Sequence, residues 1–205
     1  MLLVITVLLS FSSVQTKLAT WIMNSINNRY GVAIQIATVK ASMLNFNMSL
    51  EEVLIQDEFN DTIVYASRVQ SKLYHLPSFL EGSLQLGNLE VHDLKLEVNT
   101  PKDSTENQLN RFVQKLGQRT TQQQTAPLII NELEVHKGSV KIHNLNQKDS
   151  SLHFDQIEIN VTDFKLEDKI ITAEINQLSF LWNGFKLSKA ATEFYYSPEQ
   201  MRFED

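Results

Sequence analysis

The sequence predicts a mainly β protein: a long, curved, antiparallel meander that forms a β-groove, with a helix at its amino terminus and one short amphipathic helix. Beyond Gly31, apolar residues alternate with polar ones at a period of two, which is typical of strands with one buried face. From Ser83 onward, two-residue steps are separated by three-residue steps. Each longer step indicates a turn or bulge that returns the apolar side chains to the same side of the sheet.

The amino-terminal stretch Met1–Phe11 is almost wholly apolar, and helical spacing continues through Trp21 and Ile22 to Gly31. A membrane-spanning helix needs roughly 20 apolar residues, whereas a secretory signal has a shorter apolar core behind a basic start. Because the helical pattern runs on, we expect residues 1–30 to be an uncleaved membrane anchor and following helix rather than a cleaved signal peptide. The apolar residues of the predicted anchor are Leu2, Leu3, Val4, Ile5, Val7, Leu8, Leu9 and Phe11.

The ends of the sequence suggest a fragment of a longer protein. No basic residue precedes Lys17, although a basic residue is expected before an anchor. The strand pattern is still unfinished at Asp205, so we expect the chain to be truncated at its carboxyl terminus.

The first predicted β section covers residues 31–118. Its clearest strands are Met48–Gln56 and Thr62–His75, and the polar turn Asp57–Asp61 separates them. The helical pattern within this section predicts an amphipathic helix over residues 104–117. Its apolar stripe is Leu109, Phe112, Val113 and Leu116, and Asp103 or Ser104 can cap its start.

A polar linker over residues 119–126 follows the predicted helix and is the best candidate for an internal boundary. The second section, residues 127–205, continues the β-groove with the same rhythm of apolar residues. Asn88–His92 and Glu132–His136 have similar sequences, which indicates a degenerate repeat.

The apolar residues of the rhythmic strands are the candidate functional residues. A one-sided sheet must bury its apolar face, and one short helix is too small to cover it. The sheet therefore either folds on itself as a sandwich or curves into an open trough. We predict that the following residues face the groove: Leu84, Leu86, Leu89, Val91, Leu94, Leu96, Leu133, Val135, Ile157, Ile159, Val161, Phe164, Ile175, Leu178, Phe180 and Trp182.

Composition and motifs argue against several functional classes. The net charge of −6 and the absence of a basic stripe disfavour a nucleic-acid partner. The chain has no cysteine, and it lacks the nucleophile-elbow, P-loop and dinucleotide-binding motifs. His92 and His136 each follow a Glu-Val pair, which we interpret as the polar face of a repeated strand rather than a metal site. We predict no catalytic residue, no metal ligand and no cofactor.

Four segments near the amino terminus form a distinctive series: Val14–Leu18, Tyr30–Val32, the strand Ser49–Asp57 and the segment Asp61–Ala66. In this series the chain resembles the AsmA-like family, and in particular its TamB (translocation and assembly module) branch in Bacteroidota, and the resemblance covers nearly the whole chain. The order of anchor, short helix and paired strands is also similar, and the later strands fit the same array.

The resemblance implies a non-enzymatic envelope-biogenesis protein with a single-pass amino-terminal anchor in the inner membrane and its β-rich part in the periplasm. It implies phospholipid transport between membranes along an apolar groove, together with an outer-membrane partner barrel of the Omp85 class. Two alternatives stay open. One is a β-augmentation scaffold or chaperone for outer-membrane protein assembly or secretion. The other is a secreted β-sandwich binding module.

Overall fold

The structure is a computed structural model. It describes residues 33–42, 47–57, 59–73, 84–104, 106–111, 127–146, 151–167, 170–197 and 199–204, with 16–17, 20, 23–24 and 27. The strands are β1 (Ala33–Ser42), β2 (Asn47–Gln56), β3 (Thr62–Leu73), β4 (Leu84–His92), β5 (Lys95–Thr100), β6 (Leu128–Asn144), β7 (Ser151–Glu167), β8 (Ile170–Trp182), β9 (Phe185–Ser197) and β10 (Gln200–Glu204). The prediction of a mainly β protein is confirmed.

All ten strands belong to one sheet, in the order β1-β2-β3-β4-β6-β7-β8-β9-β10, with β5 pairing β3 and β6. β4 and β5 both pair with β3 on one side and with β6 on the other. They therefore act as one long strand that is interrupted at Asp93 and Leu94. The two predicted β sections therefore share a sheet, and the predicted linker over residues 119–126 lies outside the described residues.

The prediction of a purely antiparallel meander is wrong at the centre of the sheet, because β6 runs parallel to both β4 and β5. Parallel neighbours need a crossover of a dozen or more residues, and the connection from Thr100 to Leu128 supplies it. The alternation of apolar and polar residues does not change when a strand reverses direction. It therefore predicts which face a residue occupies but not which way the strand runs.

The crossover explains the degenerate repeat. Asn88–His92 lies directly beside Glu132–His136, so that Leu89 pairs with Leu133 and His92 pairs with His136. In this register, residues at equivalent positions of the two parallel strands point to the same face of the sheet. The similar sequences thus mark one polar face and one apolar face that run across both strands.

A line of irregular residues crosses the sheet from β2 to β7; it is called the bulge line below. Its members Glu52, Asp93, Lys137 and Gln156 all have left-handed backbone, with φ between 50° and 56°. They are neighbours across the strands: Ser67 Oγ donates to Asp93 Oδ2 at 2.7 Å, and the Asp93 N–H donates to the His136 carbonyl at 2.9 Å. Bulges bend a strand and increase its twist, so a row of them bends the whole sheet.

The buried core lies on the apolar face along this bend. Its cluster is Ile36, Val39, Val53, Ala66, Val91 and Val135, and each strand from β1 to β4, together with β6, contributes to it. Val39 is only 1% exposed. Met23, which is helical, packs against the same cluster. The bend is therefore the best-packed part of the apolar face.

Side chains of the amino-terminal helix cover the outer edge of β1. The Ile34 N–H donates to Asn27 Oδ1 at 2.8 Å, and the Ile36 N–H donates to the Met23 sulfur at 3.2 Å. These contacts occupy backbone groups that an edge strand would otherwise leave open to another chain. Among the residues that the structure describes, no helix is both long enough and apolar enough to cross a membrane. The predicted anchor residues, from Leu2 to Phe11, lie outside the described residues.

The predicted amphipathic helix begins later than expected. Asn107 caps it, since its side-chain oxygen accepts the Asn110 N–H at 2.8 Å, and helical residues follow from Gln108. Neither predicted cap has this role: Asp103 has a left-handed φ of 64°, and the Ser104 hydroxyl bonds instead to the Glu106 backbone. Phe112, Val113 and Leu116 of the predicted stripe lie outside the described residues.

The start of this helix is fastened to one end of the sheet by Gln108, whose side chain is 3% exposed. Its Nε2 donates to Asp57 Oδ2 at 3.0 Å, and its Oε1 accepts the Asn99 N–H at 3.1 Å. Burial of this amide is tolerated because both of its ends have partners. The contact joins the crossover to the β2–β3 turn and to β5.

Candidate functional site

The register of the strands places the candidate groove residues on one face. Across β6 and β7, Leu133 pairs with Val161 and Val135 pairs with Ile159. Side chains that face one another across neighbouring strands point to the same side of a sheet, so the apolar face continues across each pair. The same relation holds for eight further pairs: Val69–Val91, Val91–Val135, Leu96–Val140, Ile130–Phe164, Gly138–Ile157, Val161–Ile175, Ile159–Leu178 and Phe180–Leu187.

The predicted three-residue steps correspond to irregularities in the strands. The step from Phe154 to Ile157 crosses Gln156, which has left-handed backbone. The step from Val161 to Phe164 crosses Asp163, which has left-handed backbone as well, and the β7–β8 register shifts there. In β8 the step from Ile175 to Leu178 coincides with another register shift. Leu84 is the one candidate whose side chain lies outside the described residues, although its backbone pairs with Leu128.

Coverage of the apolar face decreases across the sheet. Every hydrophobic side chain that is buried among the described residues belongs to β1–β7, as the core cluster and Ile63, Val98, Ile130, Ile157 and Val161 show. On β8–β10 the same face is half-buried or exposed: Trp182 is 38% exposed, Phe185 58% and Phe203 60%. The described part of the sheet therefore has a closed apolar half and an open apolar half.

Aromatic rings are concentrated on the open half and on the adjoining strand β7. The Phe154 ring lies 5.2 Å from the Phe180 ring, edge to face, and 6.0 Å from Trp182, nearly stacked. Phe194 and Phe203 form a second pair with centroids 5.3 Å apart. Large rings with few rotatable bonds give a wide contact surface at a low cost in conformational entropy. The open half consequently presents a broad apolar surface.

The sequence prediction missed the first strands of this face. Ile36, Val39, Leu50 and Val53 continue it into β1 and β2, because Ile36 pairs with Val53 and Val39 pairs with Leu50. The signal was present in the sequence, since both strands contain the same three-residue step at this point. Small apolar residues such as Ala37 obscure it by weakening the contrast between the two faces.

The polar face carries a cluster of histidine and glutamate side chains beside the bulge line. His92 and His136 stack with ring centroids 5.1 Å apart. His136 Nδ1 lies 3.0 Å from Glu158 Oε2, and its Nε2 lies 3.2 Å from Glu134 Oε2. Hydrogen bonding to Glu158, with a smaller contribution from Glu134, raises the pKa of His136 above its ordinary value despite some desolvation.

Glu158 also holds the backbone of the bulge. Its second oxygen accepts the Lys137 N–H at 3.0 Å, so one carboxylate joins the His136 side chain to the left-handed Lys137 residue. The contacts of this cluster are thus internal to the sheet. Within the described part of the chain, no group of three or more His, Asp or Glu residues is arranged to hold a metal ion.

No protein-family model matches the chain, and no curated protein matches it with significant similarity.

Proposed function

We propose that the apolar face holds lipid acyl chains, and that the protein is an envelope-biogenesis component of the AsmA-like family, TamB branch, which provides a groove for phospholipid transport between membranes. The observation that carries the proposal is the single apolar face that crosses all ten described strands and is only half-buried or exposed on β8–β10. An ordinary core would need a second layer over that half, and all of the described strands lie in one sheet.

The energetics suit a conduit. Removing an acyl chain from water gives roughly 0.8 kcal/mol per methylene, and the gain does not depend on the direction in which the chain lies. A surface without charged side chains lets a chain move along it without breaking specific bonds. The polar face and the strand ends remain in contact with water, where head groups can stay hydrated.

The proposal includes the location implied by the resemblance. Residues 2–11 would anchor the protein in the inner membrane, and the sheet would lie in the periplasm. An outer-membrane barrel of the Omp85 class is the proposed protein partner. The supporting observations are the apolar amino-terminal sequence and the helical residues that pass along the edge of β1.

Lipid cross-linking tests this proposal. A photoreactive amino acid at Phe180 or Ile159, on the apolar face, is expected to cross-link to phospholipid, whereas one at Glu174, on the exposed polar face, is not. Phe180→Asp should weaken cross-linking from Ile159, because a charge among acyl chains is strongly disfavoured. Glu174→Gln is the matched control. Equal cross-linking from both faces, or none from either, would contradict the proposal.

A protein-handling role is the second candidate, and the two edges of the sheet favour it over the remaining alternative. Asn27 and Met23 occupy backbone groups of β1, whereas all five residues of β10 are exposed and its outer edge has no partner among the described strands. An unpaired edge can bind an extended segment of another protein by strand addition. Cross-linking from Arg202 to protein, with none from Ile159 to lipid, would favour this role.

A further inference from the structure

The ends of two neighbouring hairpins form an exposed apolar tip. Asn183 and Gly184 join β8 to β9 in a two-residue turn, and both have left-handed backbone. The end of β6 and the start of β7 lie beside this turn at the same end of the sheet, because Phe154 near the start of β7 pairs with Val140 near the end of β6 and with Trp182 at the end of β8. The apolar side chains at this tip are Ile142, Leu145, Leu152, Phe154, Trp182 and Phe185.

The tip is more exposed than the floor of the sheet. Leu145 is 62% exposed and Leu152 is 43% exposed, while Val39 at the bend is 1% exposed. Trp182 pairs in register with Phe185, so the exposed rings are contiguous across the hairpin. Exposed apolar residues that are grouped in this way mark a contact surface.

Charges beside the tip indicate what it contacts. Lys141 pairs with His153 across β6 and β7, and Lys186 pairs with Leu181 across β8 and β9, one or two residues from the apolar tip. The His153 ring already has an acidic partner, Asp155, at 3.0 Å, but no ion pair among the described residues involves Lys141 or Lys186. Within the described part of the chain these two lysines lack an acidic partner, so their positive charges are available locally to an anionic surface, although the net charge of the whole chain is −6.

We propose that these hairpin ends dock onto an anionic lipid bilayer. Trp182, Phe185, Leu145 and Leu152 would enter the boundary between head groups and acyl chains, which tryptophan favours. Lys141 and Lys186, on the other side of the sheet, would reach the phosphates of the head groups. Interfacial binding of this kind scales with the apolar area inserted and with attraction to anionic lipid. Docking does not depend on whether lipid occupies the rest of the apolar face.

Tryptophan fluorescence of the full chain in vesicles tests the docking. The chain contains two tryptophans, so Trp21→Phe leaves Trp182 as the reporter. In vesicles of phosphatidylcholine and phosphatidylglycerol with brominated acyl chains, Trp182 emission is expected to shift to the blue and be quenched. Lys141→Gln with Lys186→Gln should lower the ratio of docked to undocked tips roughly thirtyfold. The same pair of substitutions should have no effect on pure phosphatidylcholine.

Two controls make the result specific. Lys72→Gln with Lys165→Gln removes two lysines near the opposite ends of their strands and should leave quenching unchanged. Phe203→Trp, made with Trp21→Phe and Trp182→Phe, places the reporter on the apolar face of β10 away from the tip, where docking predicts little quenching. Equal quenching at both positions would mean general lipid contact and would overturn the docking, as would an unquenched Trp182. A blue shift of Trp182 without vesicles that rises with protein concentration would assign the tip to a second copy and overturn it too.

Discussion

Gly138→Ala is expected to destabilise the protein, although an unstrained glycine-to-alanine change usually stabilises. Gly138 is buried on β6 at the bulge line, opposite Ile157. A Cβ added there would lie 3.1 Å from the Ile157 Cβ, 3.2 Å from Val135 Cγ1 and 3.3 Å from the Ile157 carbonyl oxygen. Two of these three atoms cannot rotate away, because they are a Cβ and a backbone oxygen. The strands must therefore separate by a few tenths of an ångström.

The magnitude follows from two opposing effects. Overpacking of a close-packed interior costs roughly 1–3 kcal/mol. Loss of glycine's freedom in the unfolded chain offsets roughly 0.4–1 kcal/mol of this. The expected net loss in the free energy of unfolding is therefore about 1–2 kcal/mol, which urea denaturation followed by far-ultraviolet circular dichroism measures.

A double-mutant cycle separates packing from general damage. Val135→Ala removes the methyl group nearest the added Cβ, so Gly138→Ala should cost less in that background, with a coupling of at least about 0.5 kcal/mol. Gly184→Ala is the matched control: its φ is +83° and nothing lies within 4 Å, so its cost is backbone strain and it should not couple to Val135. A stabilising Gly138→Ala, or zero coupling, would refute the close approach of β6 and β7 at the bend.

Two further predictions concern the gradient of burial and the polar cluster. Val39→Ala, in the core, should lower the free energy of unfolding by roughly 2 kcal/mol, whereas Phe203→Ala, although a larger truncation, should cost about 1 kcal/mol or less because the ring is already 60% exposed. Both are measured by urea denaturation, and a reversed order would contradict the gradient. Glu158→Gln should lower the raised pKa of His136 toward its ordinary value in an NMR titration, while Glu174→Gln leaves it unchanged. Because the folded-state pKa is raised, the stability that this pair provides is fully present below the ordinary imidazole pKa and is lost as pH rises through the raised value.

The faces of the strands could be predicted from the sequence because burial acts on individual side chains. An apolar residue on the wrong face costs free energy wherever it lies, so the three-residue steps at Gln156 and Asp163 reveal the irregular backbone directly. Strand direction, in contrast, does not change the alternation of apolar and polar residues, so the sequence pattern does not reveal it. The repeat at Asn88–His92 and Glu132–His136 was visible, but its meaning as two parallel neighbours depends on the path of the crossover.

Local competition explains the misplaced helix start. Asp103, Ser104 and Asn107 are all good cap residues, and they lie within five positions of one another. The choice among them depends on tertiary contacts. Gln108 has its side chain held at the end of the sheet, and Asn146 Oδ1 accepts the Asp103 N–H at 2.6 Å.

The exposed tip at Trp182 and Phe185 could be predicted from the sequence only as part of the regular spacing of apolar residues. The exposure of this tip depends on which other parts of the fold pack over it, and the local sequence does not determine that packing.

The central claim is that the uncovered half of the apolar face holds lipid, and native mass spectrometry of the full chain after detergent removal tests it most directly. The account predicts a bound mass that fragments to phospholipid and that is reduced in a Phe180→Asp variant but retained in Glu174→Gln. An unmodified protein and a Glu174→Gln variant that are both folded and both free of lipid would contradict the account.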